Sequence, residues 1–371
     1  MIYLALILSI NILFALPRFA LEEGSSCMTC HVNPTGSGMR NDYGSNIYNL
    51  DELTLRKWIS KSDEDWDGSI TDHIQIGGEF RILSIEGNSE TATFPMQVDI
   101  YAKVDINKDV DLYLEQSLGG SNYDFFVLFN KLPNNSWIKM GQSSPNYGLM
   151  VDDHTAFIKS GNRTALYGLN HNLDRGFRDI FNPESKKPLI FEWGMNLPNG
   201  LLMTVDLFQD IDNQYSRLVN YAATLNYIKD FNNGSLMFGS SLMDQQDISL
   251  CGIFGGFSIS NVTMTFEIDK AENLFTIGED EEAYSTTSIA SYAQFVYKPI
   301  QGLHLISKYD YFDFDYDFKT GAIGRYTFGI ELYPLNILEI KAQTRKYEVI
   351  NAPDNFPDLV SEYLIQIHTW F

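Results

Sequence analysis

Asn261-Val262-Thr263-Met264-Thr265-Phe266-Glu267-Ile268-Asp269 decides the fold. Val262, Met264, Phe266 and Ile268 share one face, and Asn261, Thr263, Thr265, Glu267 and Asp269 share the other, a period of two that a strand produces and a helix does not. The alternation recurs near the end of the chain. Tyr326, Phe328, Ile330 and Leu332 oppose Thr327, Gly329 and Glu331, and Leu338, Ile340 and Ala342 oppose Glu339, Lys341, Gln343 and Arg345. Charges of both signs on one face imply a wet environment there. A soluble sandwich also alternates, but it buries its apolar face beneath a second sheet or helices.

Turn rhythm separates the two architectures. Brief connections with turn chemistry fall at 107–109, 132–135, 198–200, 232–234, near Ser260, at 299–302 and at 334–336. Longer polar connections alternate with them, near 86–91, 119–121, 143–187, 210–216, 244–247, 271–286, 313–320 and 348–357. Short turns on one rim and long loops on the other is the pattern of an outer-membrane barrel. Seven turns and eight loops predict about sixteen antiparallel strands, with both barrel ends on the short-turn, periplasmic side. Tyr363, Ile365, Ile367, Thr369 and Phe371 alternate up to a terminal aromatic residue, which resembles the C-terminal signal of such barrels. The expectation is an all-β protein whose porin-like barrel occupies 70–371, wide enough for an aqueous channel unless something fills it. The longest connection, 143–187, is a candidate to fold into that lumen as a constriction.

Composition agrees. Phe (25) and Tyr (21) are abundant while mean hydropathy is slightly negative, as expected when only alternate residues face lipid. A formal net charge of −22 argues against a nucleic-acid partner, because phosphate neutralisation needs clustered Lys and Arg. Residues 1–16 form an apolar run before Pro17 and Arg18 and read as a cleaved signal peptide, with an uncleaved anchor as the alternative. No other segment is long and apolar enough for a membrane helix.

The second informative stretch is Cys27-Met28-Thr29-Cys30-His31. Two thiols at this spacing with an adjoining imidazole match a c-type haem attachment: Cys27 and Cys30 for the thioethers, His31 for the proximal iron ligand. A zinc site would want further soft ligands, and the remaining thiol, Cys251, stands far away in a strand pattern. A redox CxxC would want a βαβ context that is absent. Met39 is the candidate distal ligand, with an open or water-bound face, or His73, His154 or His171, as alternatives. Within the segment 17–62, roughly forty residues from Ala20 to Ser60 are too few to bury a haem unaided, so this segment, with a short helix near 46–62, is expected to dock on the barrel as a plug.

Leu16-Pro17-Arg18-Phe19-Ala20, Gly24, the CxxCH motif, Pro34 and Gly36-Ser37-Gly38-Met39-Arg40-Asn41 resemble the fused monohaem cytochrome-porins of the outer membrane. The resemblance implies one covalent haem c ahead of a porin of about sixteen strands. It also implies oxidoreductase chemistry, in which an extracellular donor such as ferrous iron passes electrons to periplasmic c-type cytochromes. The alternative function is a diffusion porin whose haem-bearing plug acts as a gate or assembly element.

Two further acidic groups are candidate cation sites. Asp63, Asp65 and Asp67 match the first half of a calcium loop, but Ile74 stands where the bidentate Glu belongs, so a turn is the competing reading. Asp152, Asp153 and His154 place two carboxylates beside an imidazole, against an ordinary polar loop. Hydrolytic machinery is absent: there are no paired catalytic carboxylates, no nucleophile motif and no phosphate loop.

Overall fold

The computed structural model describes residues 17–55, 68–87, 90–118, 123–149, 153, 156–159, 187–210, 217–277, 284–317, 322–350 and 361–371. The strands, in chain order, are β1 (Ser69–Thr71), β2 (Ile74–Gly87), β3 (Glu90–Asn107), β4 (Val110–Ser117), β5 (Tyr123–Leu132), β6 (Ser136–Gln142), β7 (Leu189–Asn196), β8 (Leu201–Phe208), β9 (Asn220–Phe231), β10 (Gly234–Gln245), β11 (Ile248–Ile259), β12 (Val262–Ile277), β13 (Tyr284–Ile300), β14 (Leu303–Asp313), β15 (Ala322–Leu335), β16 (Leu338–Ile350) and β17 (Ser361–Trp370). β1 is a short antiparallel addition to β2. From β2 onward each strand pairs antiparallel with the next, and β17 returns to β2 with Glu362 opposite Gly87 and Trp370 opposite Glu79. The result is a closed barrel of sixteen strands with no free edge.

Every expected connection separates two strands, and the rims alternate as expected. Two connections on the long-loop rim, 88–89 and 246–247, are as brief as the turns opposite. There, β2–β3 and β10–β11 pair almost to their tips, so polar residues counted as loop are ladder residues.

Burial is inverted relative to a soluble protein. On β12, Thr263, Thr265, Glu267 and Asp269 are buried, whereas Val262, Met264 and Phe266 are half-buried and Ile268 is 48% exposed. On β17, Tyr363, Ile365 and Ile367 are exposed while Glu362, Gln366 and His368 are buried. An apolar belt around a polar interior is stable when the outer solvent is hydrocarbon. No helix among the described residues is long and apolar enough to cross a membrane. Cys251 lies exposed on this outer face.

Among the described residues, two segments enter the lumen. One is the N-terminal stretch, whose helix α1 (Pro17–Glu22) rests on β10, β11 and β12. Its second helix spans Tyr43–Leu53, earlier than the expected 46–62, and winds with i to i+5 hydrogen bonds that end at Thr54 N–H to Asn49 O, 3.2 Å. The other comprises residues 143–149, 153 and 156–159 of the connection between β6 and β7, which lie inside the barrel. Leu21 from the first, Tyr147, Leu149 and Phe157 from the second, and Met237 and Phe254 from the wall form one buried cluster. The apolar core therefore sits inside the barrel.

Candidate functional site

The N-terminal segment is seated at the short-turn end of the lumen. Arg18 Nη2 lies 2.6 Å from Glu331 and donates to Tyr333 Oη at 2.9 Å, and Lys298 Nζ lies 2.8 Å from Glu22. Ser235 Oγ donates to the Leu21 carbonyl, and Leu21 packs onto Gly256, where a Cβ would collide with it. Leu55 N–H donates to Tyr333 O at 3.1 Å, and Gln301 donates to Asp51 O at 3.0 Å beside the 301–302 turn.

Within this segment Cys27 to Cys30 form one tight helical turn, closed by Cys30 N–H to Cys27 O at 3.2 Å and His31 N–H to Cys27 O at 3.1 Å. The two thiols thus share one turn ahead of the imidazole. Gly44 passes against the Cys30 backbone so closely that any side chain there would strike it. Residues 31–40 then form a hairpin, with His31 opposite Arg40 and Val32 N–H donating to Met39 O at 3.0 Å. Gly36, Ser37 and Gly38 make the reversal, all with φ in the left-handed region. His31 Nδ1 is 3.3 Å from the Gly38 carbonyl, and the tautomer that donates there leaves the lone pair on Nε2. Burial, helped by nearby Arg40, lowers the His31 pKa to about 4, so the ring is neutral. Burial pushes both thiols up to about 12.

Met39 neighbours Arg40, so the hairpin register turns it to the face opposite His31. It packs with Val32, Tyr101, Tyr113 and Trp137, and its N–H donates to Tyr113 Oη at 3.0 Å. His73 sits at the rim beside β2. Residues 1–16, Asp63, Asp65, Asp67, Asp152, His154 and His171 lie outside the described residues.

The inward connection is fixed by polar groups of the wall. Asn146 N–H donates to Asp206 at 3.3 Å, Gly148 N–H to Ser241 Oγ at 2.8 Å and Leu149 N–H to Glu267 at 3.1 Å. Farther on, Asp153 bonds Lys308 and lies 3.6 Å from Arg345 and 3.9 Å from Arg325. Asp310 answers two of these cations, 2.9 Å from Arg325 and 3.2 Å from Lys308. The Asp153 carboxylate is thus held by three cationic side chains, and among the described residues no cluster of His, Cys, Asp and Glu is arranged for a metal ion.

Sequence reading did not single out Lys139, Glu192, Asp206, Lys308 or Arg325. Their signal was available: each is a charge placed on the polar face of a strand, where a lumen wall needs a partner from elsewhere.

No known family profile and no curated protein sequence matches this chain. Among solved structures it is similar to the outer membrane channel DcaP of Acinetobacter baumannii, with TM-score 0.56, 10% identity, and 80% of this chain covering 97% of that one. It is also similar to Salmonella typhi OmpF in complex with daunomycin, with TM-score 0.55, 14% identity, and 80% of this chain covering 97% of that one. The anion-selective porin from Comamonas acidovorans gives TM-score 0.53 at 9% identity, with 80% of this chain covering 99% of that one. The fold is that of the sixteen-stranded porins, a membrane barrel of the bacterial outer-membrane type.

Proposed function

We propose that this chain is an outer-membrane porin-type barrel closed at its periplasmic end by a plug that carries one covalent haem c. The observation that carries this reading is the seating of residues 17–55 within the lumen, with the Cys27–Cys30 turn and His31 packed inside it. The residues fit the group. Cys27 and Cys30 would hold it through thioethers, and His31, with Nδ1 engaged by Gly38, would offer Nε2 to iron. Met39 would serve as distal ligand on reopening of the hairpin; otherwise that position is left to water or another side chain.

As a porin, the barrel would pass small solutes when the plug moves, and the plug would act as gate or assembly element. Liposome swelling tests this. Wild-type protein is expected to exclude small sugars and a variant lacking 17–55 to admit them; sugar flux through the wild type overturns the closed plug.

The neutral, oriented imidazole of His31 favours a second reading, electron transfer. Haem, when bound, supplies a one-electron couple. The chain's part is to hold the segment against the barrel, exclude water around His31 and set its tautomer. Donors would be extracellular, ferrous iron among them, and acceptors periplasmic c-type cytochromes or other carriers, with lipid surrounding the barrel. Spectroelectrochemistry with ferrous iron tests this oxidoreductase reading: a redox-inert protein defeats it.

A further inference from the structure

We propose that Lys139, Glu192 and Asp206 form a relay that couples the seating of the CxxCH-bearing segment to the position of the inward-folded connection. The proposal rests on the plug reading above. The three residues stand on adjacent strands β6, β7 and β8, with Lys139 opposite Glu192 and Glu192 opposite Asp206, and all three are fully buried.

Each end of this row touches a different inserted segment. Lys139 Nζ has three partners: it forms an ion pair with Glu192 at 2.7 Å and donates hydrogen bonds to Asn33 Oδ1 at 3.2 Å and Thr35 Oγ1 at 3.4 Å. Two of the three belong to the plug, in the turn that follows His31. Glu192 Oε1 accepts the Trp137 indole N–H at 2.7 Å, which fixes the middle of the row. Asp206 Oδ2 accepts Asn146 N–H at 3.3 Å, while its Oδ1 is buried without a partner. Asn146 is the first part of the inward connection to meet the wall, and it bonds Thr204 and Thr224 as well.

The charge balance makes the row sensitive to the plug. Two buried carboxylates face one ammonium, and no second cation among the described residues pairs with either. Such a set is tolerable while geometry and hydrogen bonds hold the ammonium in place. Withdrawing Asn33 and Thr35 removes both of these hydrogen-bond acceptors and draws the ammonium toward water. The Glu192 carboxylate then loses its counter-charge, the side chains of Glu192 and the facing Asp206 rearrange, and Asp206 turns away at the expense of its bond to Asn146. Plug displacement thereby loosens residues 143–149 on the inner wall. Coupling of this kind is reciprocal.

Hydrogen exchange of the full-length protein in lipid nanodiscs tests the relay. Replacing Asn33→Ala with Thr35→Val leaves the wall untouched and is expected to raise exchange of 143–149 about fivefold, the equivalent of one lost hydrogen bond. In a Glu192→Gln, Asp206→Asn background the same plug changes are expected to leave 143–149 unmoved. By reciprocity, Asn146→Ala, which leaves the row intact, is expected to raise exchange of 31–36. Unchanged exchange of 143–149 in the plug variant, an equal rise in the neutral background, or unchanged 31–36 in Asn146→Ala overturns the relay. Unprotected 27–41 in the wild type overturns the plug reading and the relay with it, whereas protected 27–41 with an unresponsive connection overturns the relay alone.

Discussion

Replacing Asp153→Asn removes one charge from the inward connection and keeps the shape of its side chain. The carboxylate bonds Lys308 and lies 3.6 Å from Arg345 and 3.9 Å from Arg325. At an effective dielectric near 20, each charge pair at about 4 Å is worth roughly 4 kcal/mol before desolvation, and removing one partner from a buried pair costs about 3–5 kcal/mol. Two features reduce that figure. Asp310 still compensates Arg325 and Lys308, and the Asp153 side chain is 18% exposed, so water reaches it. The expected loss is therefore about 2 kcal/mol, or roughly thirtyfold in the local opening equilibrium. It falls on the connection and not on the barrel, whose strands pair without Asp153. Hydrogen exchange of 143–149 and 156–159 reads it directly; a change within about threefold at neutral pH refutes the role given to the Asp153 charge. Burial works to raise the Asp153 pKa, but Lys308, Arg345 and Arg325 together hold it well below 3.8. A depressed folded value means that the contribution is complete above the unfolded pKa and is lost as pH falls through the folded one. Wild-type protection should thus stay level from neutral pH down to about 4 and decline only below that.

Ile268→Arg places a charge on the lipid face, where it should cost about 2–4 kcal/mol and lower the urea midpoint of folding into micelles; an unchanged midpoint contradicts the assigned faces. In a Cys27→Ala, Cys30→Ala protein, which cannot attach haem, neutral His31 has its pKa lowered to about 4 from 6.5, first by burial and then by Arg40. Its contribution is then present above about 6.5 and shrinks as pH falls toward 4, by as much as ~3 kcal/mol, so exchange of 31–41, corrected for intrinsic rates, should rise over that window and would stay flat if His31 were solvated. Gly38→Ala puts a Cβ into Tyr113 Oη and Glu115 at a φ of +65°, and should unseat the hairpin by more than the ~1–2 kcal/mol of backbone strain; protease resistance of 31–41 equal to wild type refutes this.

The barrel was legible because strand faces and turns are local. Val262 to Asp269 announces its two faces through residue type alone, and a turn such as 232–233 between Phe231 and Gly234 is an Asn pair directly followed by Gly. The content of the lumen was only half legible. The short N-terminal segment plainly needed a surface to dock on, and the length of 143–187 marked it for the interior. Which wall residues would receive them depends on contacts across more than a hundred positions, as between Arg18 and Glu331 or Asn33 and Lys139. Met39 shows the same limit at short range. Its spacing from His31 suits a ligand, yet Gly36 to Gly38 fold the chain back on itself, and strand register then decides which way the side chain points.

The most direct measurement is the mass of the peptide spanning Cys27 to His31, cut from detergent-extracted outer-membrane protein under denaturing conditions. Haem retained on both cysteines is the predicted result. An unmodified pair of thiols would contradict the account.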